Sequence, residues 1–476
     1  MIFLMLTNII TMSGYDSAYG GEYIPHALRT IVSRISNFRK NNLRLQTESQ
    51  TTAALGAKVR VNLPSQGLVD LGSLQLSGTL ESTGGTFKLP HCGIAGMIQR
   101  EDVEIGGVVV DSINDYNKLF TILRAYTVGR PRNRLSAFAS TTELAAPLAN
   151  GDYLASVTAG GATGPEVTAA LTSTTEICAE QLYAAASSTA FNYNSWIGWL
   201  GQHRFMQMDT LPAPVAITIT LDSAACVSGL NAAIPSWANL NFNIQAVEFP
   251  LYSRSLYAML ERNQPIPFPF TRWINFTMSN AAGAVVADRF SVSTQALKRV
   301  WVQSGVTAVQ VRDNAAATTE GEEVPKFLSN CDGATNFYLE VDNRRTSQYD
   351  VDSSRQGVAW VLQQLGVESD SDYENLLGSL GVFGTAAGAT GGNSTVATSG
   401  SYSYFNTAWA LVYSLCFNEY DLDDSHNISG LSTQGMSASI QHNARTGVTS
   451  AASTMYSVET KAIMNVLPNR QIEVTY

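Results

Sequence analysis

Three stretches of this chain carry side chains of the types that chemistry uses, and their spacing decides what each can do. His91 and Cys92 set an imidazole next to a thiol, the pair a thiol nucleophile needs, but neighbours in an extended segment point to opposite faces and the base cannot reach the sulfur. Asp421, Asp423, Asp424 and His426, in the run EYDLDDSHNISG, put carboxylates at alternate loop positions, as a calcium site does. The run lacks the twelve-residue spacing and closing Glu of an EF-hand, so a solvated acidic loop is expected. The run RAYTVGRPRNR gathers Arg124, Arg130, Arg132 and Arg134 around one aromatic, Tyr126, and reads as a solvated loop or a subunit contact rather than a nucleic-acid site.

Nothing else adds to these. His26, His203 and His442 are scattered, and Cys92, Cys178, Cys226, Cys331 and Cys416 are odd in number, far apart and without a C-x-x-C pair. Buried free thiols are expected, compatible with assembly inside a cell. The motifs G-x-S-x-G, G-x-x-x-x-G-K-[ST], H-E-x-x-H and G-x-G-x-x-G are missing, and the glycines of 381–392 join no βα unit. No catalytic, cofactor-binding or metal-ligating residue is therefore assigned, and the expectation is a protein that is not an enzyme. The sequons at Asn275, Asn393 and Asn427 carry no weight without a secretory route.

Composition narrows the class. With 476 residues the chain has room for two domains of about 200 residues each. Charged residues make up only 14% and apolar ones 45%, which leaves a neutral, polar surface suited to packing against copies of itself. The net charge of −10 argues against coating nucleic acid along the whole surface. Its distribution is uneven: residues 1–62 hold Arg29, Arg34, Arg39, Lys40, Arg44, Lys58 and Arg60 against Asp16, Glu22 and Glu48. The run Met1–Met12 is apolar, but no cation precedes it and it is too short to span a bilayer; a true start at Met12 is at least as plausible as a signal peptide.

The elements that must position these residues are mostly strands. Ile24, Leu28, Ile31, Val32, Ile35 and Phe38 form a helical stripe flanked by Arg29, Arg34 and Arg39, which predicts a basic amphipathic helix. Alternation then predicts strands at Val59–Leu63, Leu74–Leu80, Val215–Leu221 and Asn239–Tyr252. Val103, Ile105, Val108 and Val110 around Gly106-Gly107 predict a hairpin. Ile113, Tyr116, Asn117, Phe120, Leu123 and Arg124 predict a following helix, capped by Asp111 or Ser112 with Asp115 in its first turn. Ser253–Arg262 reads as a short helix, and Pro265, Pro267 and Pro269 exclude a paired central strand and mark a domain junction. Further strands are expected at Trp273–Met278, Asp288–Val292, Arg299–Gln303, Asn336–Val341, Trp409–Phe417, Met436–Gln441 and Lys461–Tyr476, and a helical segment at Val358–Leu365. Residues 136–176 read as a surface insertion and 384–401 as an exposed low-complexity loop.

Five runs share an order that resembles one family. LPSQGLVDLGSLQLSGTL (Leu63–Leu80), KLPHCGIAGMIQREDVEIGG (Lys88–Gly107), INDYNKL (Ile113–Leu119), SWIGWLGQHRFMQMDTLPAPVAITITL (Ser195–Leu221) and ISGLSTQGMSASIQ (Ile428–Gln441) are similar to major capsid proteins of small double-stranded DNA viruses: virophages, polinton-like viruses and adintoviruses. The resemblance implies an all-β chain of two consecutive jelly-roll β-sandwiches, a double jelly roll, with short inserted helices and an N-terminal helix. It divides the chain into an arm over residues 1–54, a first jelly roll over 55–262 and a second over 263–476. It also implies homotrimers with a pseudo-hexagonal footprint tiling an icosahedral shell, assembled in the host cell. Its partners would be neighbouring capsomers, minor capsid and penton proteins, and an internal membrane or the genome reached by the basic arm. The competing reading is a secreted carbohydrate-binding or carbohydrate-degrading β-sandwich, with Trp196, Trp199, Trp237 and Trp409 as sugar-stacking platforms.

Overall fold

In the computed structural model the chain divides into two units, Met1–Arg39 and Lys40–Tyr476. The structure describes residues 38–48, 51–82, 87–88, 93–127, 182–183, 188–201, 205–223, 228–229, 235–305, 336–351, 360–361, 363–365, 410–416, 430–436, 440–447 and 452–476. The helical stripe up to Asn37, most of the arginine-rich run, the 136–176 insertion and the 384–401 loop lie outside them.

Eight principal strands build the first half: β1 (Arg39–Gln46), β2 (Lys58–Asn62), β3 (Leu68–Ser82), β4 (Ile98–Ile105), β5 (Val108–Asn114), β6 (Phe205–Gln207), β7 (Val215–Leu221) and β8 (Pro235–Glu248). They form two sheets, in the orders β1-β8-β3-β6 and β2-β7-β4-β5. The second half supplies β9 (Ile266–Asn280), β10 (Val285–Phe290), β11 (Leu297–Gly305), β12 (Phe337–Val341), β13 (Arg344–Arg345), β14 (Ala410–Ser414), β15 (Ile440–Gly447) and β16 (Ala452–Val466). Their sheets run β9-β16-β11-β14 and β10-β15-β12-β13. Adding eight to each strand number of the first half reproduces the second. In each half the first strand pairs the eighth and the second pairs the seventh, which is the winding of a jelly roll. The chain is two jelly rolls in tandem.

Alternation explains the strands. Val59 and Val61, Leu74 and Leu76, Val103 and Ile105, Ile217 and Ile219, and Phe242 and Ile244 are all buried, and their inward faces make the first core. The Gly106-Gly107 turn joins β4 to β5 with both φ angles positive, 59° and 83°, which a two-residue I′ hairpin demands. Strand β1, with Leu43 and Leu45 packed on the core, was not expected, and Arg39 is its first residue.

Three further expectations change. Strand β5 runs through Asn114, so Ile113 is a buried strand residue and the helix α1 begins at Tyr116 (Tyr116–Thr127). Asp111 and Ser112 therefore do not cap it. Asp115, at φ 49°, precedes it and gives its carbonyl to the Leu119 N–H. The strand expected over Asn239–Tyr252 stops at Glu248, because Pro250 starts the helix α2 (Pro250–Glu261). Strand β9 begins at Ile266 inside the proline-rich run, earlier than the expected Trp273, and pairs along its length with β16. It lies at the sheet edge, so Pro267 and Pro269, two residues apart, turn their missing N–H groups away from the partner.

Gly198 tests how tightly the first sandwich is shaped. Its φ is 64°, and a methyl group there would stand 2.4 Å from Asp111 Oδ2 and 2.6 Å from Ile113 Cδ1. Gly198→Ala should lower stability by about 2–4 kcal/mol, the combined cost of backbone strain and overpacking. Urea denaturation of the wild type and the variant checks this.

Candidate functional site

Chemistry-bearing side chains gather at the joint where β5 of the first sandwich meets β9 of the second. The turn 195–201 is held from three sides. Trp196 donates its indole N–H to the Leu74 carbonyl at 2.9 Å. Tyr193 donates to the Ser195 carbonyl at 2.6 Å, and Tyr116 shares a 2.8 Å hydrogen bond with Tyr193. Asp111 accepts the Trp199 backbone N–H at 2.8 Å on one oxygen and the Ser112 N–H at 3.0 Å on the other. Trp199, fully buried, then lies against Phe268 of β9 with ring centroids 5.5 Å apart. Asn275 of β9 donates its amide to the Asn114 carbonyl at the end of β5.

The electrostatics of the joint are unusual. Glu101 on β4 is buried, and neither carboxylate oxygen has a hydrogen-bond partner. Desolvation, with Asp111 and Asp102 nearby, pushes its pKa well above the carboxylate range. Burial also pushes Asp111 up to about 7, against the lowering effect of the Trp199 and Ser112 N–H groups and of Arg272 from β9. The Arg272 guanidinium lies 3.8 Å over the Tyr476 ring.

A second polar cluster sits inside the second sandwich. Tyr456 donates to Asp288 at 2.5 Å, its oxygen lies 3.0 Å from His442 Nδ1, and Asn280 donates to Asp288 and Thr454. The acid, hydroxyl and imidazole order resembles a proton relay, but all three side chains are buried and the His442 ring stacks on Phe337. Burial lowers the His442 pKa to about 3, so the ring is neutral. Above this, Glu459 is buried with Lys298 at 3.8 Å, Arg299 at 3.3 Å and the Trp301 indole N–H at 3.3 Å. These networks orient strands.

Residues singled out from sequence fare differently. His91, Cys92, Asp421, Asp423, Asp424, His426, Arg130, Arg132 and Arg134 lie outside the described residues. Among the described residues no group of three or more His, Cys, Asp or Glu is placed to hold a metal ion, and no helix is long and apolar enough to cross a membrane. Cys416 is a partly buried free thiol, 3.6 Å from Ser414 Oγ; the other cysteines are not described. Trp196, Trp199 and Trp237 are buried, so none is a sugar platform, and Trp409 is not described. Glu101, Asp288 and His442 were missed, yet a signal existed. Each sits in step with buried apolar residues: Glu101 with Val103 and Ile105, Asp288 with Val286 and Phe290, His442 with Ile440 and Ala444.

With this geometry the class of fold is defined: the chain is a double jelly roll. Solved structures of viral capsid proteins share it along their whole length. A chain of the PBCV-1 virus capsid superposes with a TM-score of 0.59 at 11% identity, over 94% of this chain and 99% of that one. The Faustovirus major capsid protein gives 0.52 at 7% identity, over 97% of each chain. The mavirus major capsid protein gives 0.50 at 11%, over 95% of this chain and 94% of that one. At such identities the likeness is one of fold. No protein-family model and no curated protein sequence matches the chain.

Two substitutions test the buried networks. A histidine whose folded pKa lies below its unfolded value gives stability that is present above about pH 6.5 and lost as the pH falls toward about 3. His442→Phe should keep the stack on Phe337 and flatten the decline in melting temperature between about pH 6 and pH 4. Glu459→Ala removes the carboxylate buried against Lys298 and Arg299 and should cost about 3–5 kcal/mol, read from denaturant midpoints.

Proposed function

We propose that this chain is a major capsid protein, three copies of which form a capsomer of pseudo-hexagonal outline that tiles an icosahedral virion shell. The observation that carries this reading is the tandem of two jelly rolls matching the PBCV-1 capsid chain over 94% of this chain and 99% of that one. Low charge, 14% of residues, favours a life packed against other copies. Exposed apolar side chains, Val108 and Val109 at the β4–β5 hairpin and Val285 at the start of β10, offer subunit contacts. The five shared runs point to the group of virophages, polinton-like viruses and adintoviruses.

The partners follow from this reading. Neighbouring capsomers and the minor proteins at vertices meet the sides of the trimer. The basic amphipathic sequence before β1, with Arg29 and Arg34, has the composition to meet the anionic groups of an internal membrane or the genome. The carbohydrate-binding alternative loses its basis with the burial of Trp196, Trp199 and Trp237.

Size-exclusion chromatography with light scattering should give about three times the chain mass of 51.2 kDa, and negative-stain micrographs should show hexagonal particles. A stable monomer overturns the reading. Deleting residues 1–37, which stops short of β1, should leave the trimer folded but impair shell assembly. Loss of soluble trimer would instead assign that segment to the subunit core.

A further inference from the structure

Two carboxyl groups are buried side by side where the sandwiches meet, and the register of the sheet explains how. Strands β4 and β5 pair Glu101 with Ile113 and Val103 with Asp111, so Glu101 and Asp111 occupy diagonal positions on one face of an antiparallel pair. Both are at least 98% buried, with relative exposures of 1% and 2%. Two negative charges at this spacing, removed from water, repel strongly and have no solvent to screen them.

Their surroundings do not neutralise both. Asp111 has the Trp199 and Ser112 N–H groups and the cation Arg272 from across the joint. Glu101 has no hydrogen-bond donor on either oxygen, and the titratable groups facing it are Asp111, Asp102 and the phenol of Tyr116. Tyr116 is itself committed to Tyr193, and Arg272 lies against the ring of Tyr476. Asp102 is paired with Arg100 at 2.8 Å, which leaves Arg272 as the cation acting on Asp111 and none acting on Glu101 among the groups named.

We propose that the Glu101 and Asp111 pair is a proton-operated latch: with the pair protonated, β5 holds the Trp199 turn and through it β9 of the second sandwich, and release of its protons to solvent loosens that joint. The loosening follows from charge. An ionised Glu101 must find water or a cation, and its burial denies it both until a neighbouring element moves; the turn 195–201, tied to its diagonal partner Asp111, is the element we assign. Because Asp111 holds the Trp199 N–H directly and Trp199 packs on Phe268, displacement of the turn is transmitted to the second sandwich. The latch acts within one chain and does not depend on the capsid reading.

The sign is fixed. A carboxyl whose folded pKa is raised contributes stability that is complete below its unfolded value, near 3.8, and lost as the pH rises through its folded value, which for Asp111 is about 7. Glu101, raised further, extends the loss to higher pH. Infrared spectra of the full-length protein at about pH 6 should show the carbonyl band of a buried protonated carboxyl, diminished in Glu101→Gln. Hydrogen exchange of the amides of 196–201 and 268–272, corrected for base catalysis, should lose protection as the pH rises from about 5 to about 8, by up to tenfold per pH unit at the steepest part. Asp111→Asn and Glu101→Gln should make that slope shallower. A wild-type spectrum without the band, or a protection profile that the variants leave unchanged, overturns the proposal. If a variant does not fold, the wild-type band and its titration decide alone.

Discussion

The backbone N–H of the buried Trp199 is held by a side chain, donating to Asp111 Oδ2 at 2.8 Å. A buried N–H left unpaired costs about 1–3 kcal/mol, so displacing Asp111 would cost the turn 195–201 about that much. Gly198 is required there because its positive φ brings the chain within contact of that carboxylate. Trp199, placed by the same turn, is the aromatic through which the first sandwich meets Phe268 of the second. This hydrogen bond therefore links a loop, a core residue and the second sandwich.

The edges of the sheets tell a related story. Strand β9 carries prolines that cannot donate to a ladder, which confines it to an edge, and an open edge invites unwanted pairing. Here β9 meets β5, itself the outer strand of its own sheet, and the Asn275 amide bridges to the Asn114 carbonyl without forming a ladder. The two edges cover one another while the sheets remain separate. The free edge β13 is only two residues long, both arginines, a short and charged end of the kind that discourages further pairing.

Much of this was legible because strand period is simple to see. Val215, Ile217, Ile219 and Leu221 alternate and are buried, and the Gly106-Gly107 hairpin stands where its residues place it. Ile113 was harder, since it fits both the alternation of β5 and the stripe of α1, and only pairing with Glu101 settles the matter. Strand β1 hid among cations because its buried residues, Leu43 and Leu45, are few. The joint was invisible for a different reason. Asp111 and Arg272 are far apart in sequence, and their meeting is a property of how two sandwiches dock, which no local pattern encodes.

The winding of each jelly roll has a kinetic consequence. Asn41 of β1 bonds to Glu248 at the end of β8, 207 residues later, and Thr460 of β16 bonds to the Arg272 carbonyl of β9, 188 residues away. Neither sandwich can close until its eighth strand has left the ribosome, and closing so long a loop makes folding slow. During that wait β1 stands unpaired, and its sequence RKNNLRLQ, cationic and rich in amides, is well suited to remain soluble. The second sandwich waits again for β16, while the first, already complete, can act as a template on which β9 docks. The order of synthesis thus matches the order in which covered edges become available.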